Sequence, residues 1–189
     1  MRVKEAHVMY SKAKIKGHPI HPMLISFPIT FYTVSFVCYC LYQFGAANLF
    51  FFQAAYASNV AGVVTAVIAS IPGLIDWAYG IPNQSGAKRR GVVHMSLNLL
   101  ALALFALTAA LFSGNWYTGV RSTSFAIVLT GVGFLITTAA GAHGWLLIAR
   151  HKVGVELTPE QERLEPVASL ESREGFKGIQ ETPAGHQPV

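Results

Sequence analysis

The chain has 189 residues, of which 52% are hydrophobic and only 12% charged, against roughly 25% charged in ordinary soluble domains. With a formal net charge of +5 and a positive mean hydropathy, this composition excludes an ordinary soluble enzyme and a disordered chain, and it reads as a membrane protein. Two cysteines, Cys38 and Cys40, lie inside an apolar run and exclude a disulfide framework.

In chain order, a basic segment over residues 1–23 carries "GHPIHPMLISFPI", two histidines three apart, each followed by proline. Proline disfavours helix for the residue before it, so His18 and His21 are expected off the helix, in a turn that brings both imidazoles to one side. Four apolar stretches follow, Leu24–Phe44, Ala54–Trp77, Gly91–Phe112 and Ser124–Ala149, each near the roughly 20 residues that cross a bilayer as helix. The fold class is therefore all-α, a four-transmembrane-helix bundle over residues 24–150. No cleavable signal peptide is expected, since the residues before the first stretch are polar and basic.

Charge sets the orientation. Lys and Arg cluster before the first span, at Lys88, Arg89 and Arg90, and at Arg150 with Lys152, so the positive-inside rule places both termini in the cytoplasm of a bacterial inner-membrane protein. Residues 151–189 hold seven of the nine acidic residues and form a polar cytoplasmic tail, with "TPEQERL" signalling one short helix before a partly disordered end. No internal repeat is apparent, and HPIHP occurs once. Small residues recur along the second span (Ser58, Gly62, Ala66, Ser70) and the fourth (Gly133, Thr137, Gly141), so these two spans are expected to form the interior pair.

The polar residues of the spans gather at one depth. His18, His21, Asp76, His94, His143 and His151 all fall near the cytoplasmic side, with His94 and His143 roughly 6 and 10 Å inward of Arg90 and Arg150 at 1.5 Å per residue. Asp76 is the only acidic residue between Glu5 and Glu156 and calls for a partner, Lys88, Arg89, Arg90 or a histidine. Asn98 lies one turn from His94 on the same face and can orient an imidazole or bond a ligand.

"GHPIHPMLISFPI", "GLIDW", "HMSLN" and "HGWLLIARHKVGV" together resemble the DUF2231 family of bacterial four-helix membrane proteins over residues 14–155. The resemblance implies membrane redox work, since relatives are joined to Rieske iron-sulfur or cytochrome c domains, and it carries over His18, His21, His94, His143 and His151 with Asp76 and Asn98. "HGWLLIAR" is less glycine-rich than the corresponding stretch of many relatives.

Three functional classes remain. In the first, the chain binds b-type haem and transfers electrons, with His94 and His143 as axial ligands and Arg89, Arg90 or Arg150 on the propionates; His18, His21 and His151 form a second site or a hydrogen-bonding shell. In the second, His18, His21, Asp76, His94 and His143 hold a zinc, copper or iron ion. The third is a non-catalytic scaffold or small transporter, although a transporter calls for midplane polar groups and repeat symmetry. Partners are the lipid bilayer, a Rieske-type or cytochrome c redox protein and further copies of the chain; nothing points to nucleic acid, because topology explains the basic residues. No catalytic residue stands out.

Overall fold

The computed structural model describes residues 9–45 and 47–155, with single positions at 158, 160 and 163. The chain divides into two units, Met1–Val155 and Glu156–Val189. The short helix and disordered end read from the tail fall outside the described residues, save those single positions.

A two-stranded hairpin, β1 (Lys14–Ile15) with β2 (His18–Pro19), leads into α1 (Ile20–Leu24) and α2 (Ser26–Phe44). The long helices α3 (Leu49–Ile75), α4 (Gly86–Phe112) and α5 (Ser124–Ala149) follow. Four helical segments are long and apolar enough to span a membrane: Ile20–Phe44, Leu49–Gly80, Gly86–Asn115 and Ser124–Ala149. The fold is all-α.

The turn expected across His18 and His21 lies three residues earlier. Lys16 and Gly17 take the left-handed conformation (φ 49° and 84°), the geometry of a two-residue hairpin loop, while Pro19 stays extended and caps α1. His21 is helical after all. Pro22 is accommodated because the first turn of a helix needs no N–H from it.

Inward positions repeat at three- and four-residue spacing on every long helix, as in coiled-coil packing: Pro28, Tyr32, Ser35, Tyr39 and Tyr42 on α2, for example, and Ala126, Thr130, Gly133, Ala140 and Leu147 on α5. Large apolar side chains such as Leu41, Val64, Ile71, Leu107 and Leu135 face outward and are exposed, as a lipid-facing surface requires. Ser35, Asn59, Thr108 and Thr130 are buried inside.

Neighbour contacts run α2 on α3 and α4 on α5, then α2 on α5 and α3 on α4, so α3 and α5 are diagonal rather than paired. The small-residue stripes receive rings from adjacent helices. A Cβ on Gly62 would lie 2.6 Å from the Tyr32 ring, and one on Gly133 would lie 2.7 Å from the Phe105 ring.

These parallels extend through the bundle and reveal an internal two-fold repeat. His21, Tyr32, Ser35 and Tyr39 in the first half correspond to His94, Phe105, Thr108 and Phe112 in the second, each 73 residues on. Ala55, Asn59, Gly62, Ala69 and Gly73 correspond to Ala126, Thr130, Gly133, Ala140 and Gly144, each 71 residues on. Ring pairs meet across the centre at equivalent positions: His21 with His94 at 6.3 Å, Tyr32 with Phe105 stacked at 3.6 Å, and Tyr39 with Phe112 at 5.9 Å. Matching helices run in the same direction, so the repeat is parallel, with its axis along the bundle.

Candidate functional site

The axis ends in two imidazoles held alike. His21 Nδ1 lies 2.8 Å from the carbonyl oxygen of Ala69 on α3, and His94 Nδ1 lies 2.8 Å from that of Ala140 on α5. A carbonyl oxygen can only accept, so each Nδ1 carries the proton and donates it, leaving the lone pair on Nε2. The Asn98 amide nitrogen, which donates to the His94 carbonyl at 2.8 Å, lies 3.3 Å from His94 Nε2 and fits that assignment.

Glycine one turn beyond each carbonyl makes room for the ring. A Cβ on Gly73 would approach the His21 ring to 2.8 Å, and one on Gly144 would approach the His94 ring to 3.0 Å. The rings stand edge to face, with planes 87° apart. The arrangement is a pair of imidazoles, each fixed in rotamer by a backbone carbonyl on Nδ1, with Nε2 of His94 beside the Asn98 amide.

The other histidines at this end of the bundle are placed differently, His143 being near enough to His94 for a charge interaction. His18 is exposed on the hairpin. His143 and His151 line an open cleft of about 400 Å³ with Gly86, Arg89, Arg90 and Val93. The sequence reading pairs His94 with His143; the structure instead sets the His94 ring against His21 and Gly144, while His143 belongs to the cleft. Arg150 caps α5 and does not line it.

Asp76 serves another purpose. Its carboxylate accepts from Ser11 Oγ at 2.9 and 3.0 Å and from the backbone N–H groups of Lys12 and Ala13 at 2.6 and 2.9 Å, so it clamps the segment before the hairpin. Lys88, expected as its partner, lies over the Trp77 ring and donates to the carbonyls of Trp77, Ala78 and Ile81, where the helix after Pro72 widens into a π-turn over Asp76–Gly80. Asp76→Ala is expected to free residues 11–13, with trypsin cutting at Lys12 roughly 30-fold faster, the equivalent of about 2 kcal/mol of charged hydrogen bonding. Timed digestion followed by mass spectrometry checks it.

Among the described residues, no three His, Cys, Asp or Glu side chains form a group that could hold a metal ion. The five-residue metal set read from the sequence is thus distributed over a hairpin, a clamp, a ring pair and a cleft.

Residues 17–157 match the model of a family described as a predicted membrane protein, DUF2231. The chain belongs to the DUF2231 family. Its match takes in all four spans, the imidazole pair and the cleft, and the chain is an integral, multi-pass membrane protein. Comparison with curated proteins and with solved structures gives no match.

Proposed function

We propose that this DUF2231 protein is a membrane redox protein that holds b-type haem through His21 and His94. The observation that carries the reading is the imidazole pair, 6.3 Å between ring centres, with each Nδ1–H committed to a helix carbonyl. Two imidazoles bound on opposite sides of one ion have centres about 6 to 6.5 Å apart, from metal–nitrogen bonds of about 2.0–2.1 Å and the ring radius. The separation of the two rings therefore matches that of such a pair.

The same donor set favours haem over a bare ion. Zinc, copper or non-haem iron in a protein site draws on three or four protein ligands, whereas haem brings four nitrogens and asks for one or two. Two imidazoles come together at the axis, and no larger group forms among the described residues. When bound, haem supplies a one-electron couple near the membrane surface, open to a partner of the Rieske or cytochrome c class. The chain's own share is to orient both rings through Ala69 and Ala140, to give them room at Gly73 and Gly144, and to keep bulk water out with apolar spans.

Absorption spectra of the detergent-purified protein, oxidised and reduced, with metal analysis alongside, test this reading. A Soret band with sharp reduced visible bands is expected; a colourless protein after expression with ample haem overturns it. If such a protein carries a stoichiometric metal, the site is non-haem; if it carries none, the imidazoles only tie helices together through their carbonyl bonds.

We also place both termini and the histidine-bearing end in the cytoplasm, from the basic residues at that end. In a variant with Cys38 and Cys40 replaced by alanine, Asn48→Cys is expected to react with an impermeant maleimide added outside intact cells and Ser85→Cys is not. The opposite labelling pattern reverses the orientation.

A further inference from the structure

The two halves differ at one group of basic residues. His143 corresponds to Pro72 in the first half and Arg90 to Gly17, while Arg89 corresponds to Lys16, so the combination in the cleft of Gly86, Arg89, Arg90, Val93, His143 and His151 is not repeated. We propose that this cleft is a binding site for the phosphate of an anionic phospholipid. The cleft does not include His21 or His94, and the proposal does not rest on the haem reading.

Three observations support it. Gly86, Arg89, Arg90 and Val93 recur at the spacing of one helical face, so two guanidinium groups share the cleft with two imidazoles and no carboxylate. Neither arginine has an ion-pair partner among the described residues; Asp76, the nearest acid in sequence, is taken up by Ser11, Lys12 and Ala13. His143 also lines the cleft, and its buried Nδ1 has no hydrogen-bonding partner among the described residues. Planar guanidinium groups match phosphate oxygens two at a time.

Position selects the lipid over a free anion. The cleft lies at the ends of two membrane spans, Gly86–Asn115 and Ser124–Ala149. Its apolar lining residue Val93 is 44% exposed, and Trp145 and Ile148 near it on α5 also face outward. An occupant with an anionic head and apolar chains satisfies both surfaces at once, whereas inorganic phosphate leaves the apolar flank uncovered. Basic pockets between spans at a membrane surface take lipid headgroups for this reason.

Native mass spectrometry of the detergent-purified full chain with added phosphatidylglycerol, phosphatidylcholine or inorganic phosphate tests the proposal. One phosphatidylglycerol is expected to survive at collision energies that strip phosphatidylcholine. Arg89→Gln/Arg90→Gln is expected to weaken its retention at least roughly tenfold, on the scale of one lost charged hydrogen bond, while Arg121→Gln, in the connection at the other end of the bundle, leaves it unchanged. Unchanged retention in the double variant overturns the proposal, and so does displacement of the lipid by millimolar phosphate, which makes the cleft a free-anion site. Loss of haem in the double variant with lipid retained assigns the cleft to propionates instead. If the double variant does not fold, the single variants Arg89→Gln and Arg90→Gln are read the same way, each by its own loss of retention.

Discussion

In haem-loaded protein, His21→Ala and His94→Ala are each expected to remove the low-spin spectrum, and His143→Ala is expected to leave it in place. The structure is what separates these three histidines. His21 and His94 face one another across the axis with their Nδ1 protons fixed on Ala69 and Ala140, whereas His143 lines the cleft with Arg89 and Arg90. A variant missing one axial imidazole keeps the other five positions around iron at most, so the sharp reduced bands go even where some pigment remains. Since haem that binds only the folded protein adds RT ln(1 + [L]/Kd) to stability, about 2.7 kcal/mol at a hundredfold excess over Kd, both variants should also melt earlier than the parent in the presence of haem and not in its absence. Gly73→Ala and Gly144→Ala give a milder version of the same result. The added methyl would stand 2.8 and 3.0 Å from the His21 and His94 rings, so each ring must turn away from its carbonyl and the bands should broaden. Loss of the spectrum in His143→Ala, with His21→Ala unaffected, restores the ligand pair expected from sequence and sinks this one.

The spans and the end of the bundle that bears the histidines were legible in the sequence, because hydropathy and charge are local properties that survive without knowledge of neighbours. Helix Ser124–Ala149 has the bounds its apolar run implies, and the others extend a few residues further. The repeat was not legible. Its two halves share few letters outside the inward faces, and its offset changes from 73 to 71 residues between the first and second helix of each half, which blurs any fixed period. What survives is the recurrence Ala-x3-Asn/Thr-x2-Gly-x6-Ala-x3-Gly at Ala55 and again at Ala126. That signal is visible once the faces are known.

Asp76 illustrates a different limit. Its partners are a serine hydroxyl and two backbone N–H groups more than sixty residues away, and backbone donors leave no mark in a sequence. The search for a cationic partner therefore went to Lys88, Arg89 and Arg90. Lys88 in turn was taken by carbonyls freed where Pro72 and the π-turn disturb the helix ladder. For the histidines, chemistry and depth were readable and pairing was not, since rotation about each helix axis decides which imidazoles meet.

Phe105→Ala is expected to cost about 3 to 5 kcal/mol, the range for truncating a fully buried aromatic, and to lower the melting temperature more than any other single change on the axis below the histidines. Phe105 is completely buried, stacks on Tyr32 at 3.6 Å with planes 5° apart, and fills the hollow over Gly133. In a membrane the apolar solvent gives no hydrophobic drive between helices, so contact of this kind carries the association. Leu107, two residues on and 45% exposed to lipid, is the control: Leu107→Ala should shift stability by well under about 1 kcal/mol, because the lost surface faces acyl chains in either case. The repeat makes a second, sharper demand. Tyr32→Ala should cost as much as Phe105→Ala within about 1 kcal/mol, and the double variant should cost less than the sum, with a coupling of about 0.5 to 1.5 kcal/mol from the stacked pair. Gly133→Leu and Gly62→Leu approach the same rings from the other side, at 2.7 and 2.6 Å, and should each destabilise by about 1 to 3 kcal/mol through overpacking. Unfolding measured by steric trapping or by denaturant titration in mixed micelles provides the numbers. Additive losses for Tyr32 and Phe105, or a Leu107→Ala variant as damaging as Phe105→Ala, would show that the rings do not meet across the axis and that the two halves are not related as the ring pairs imply.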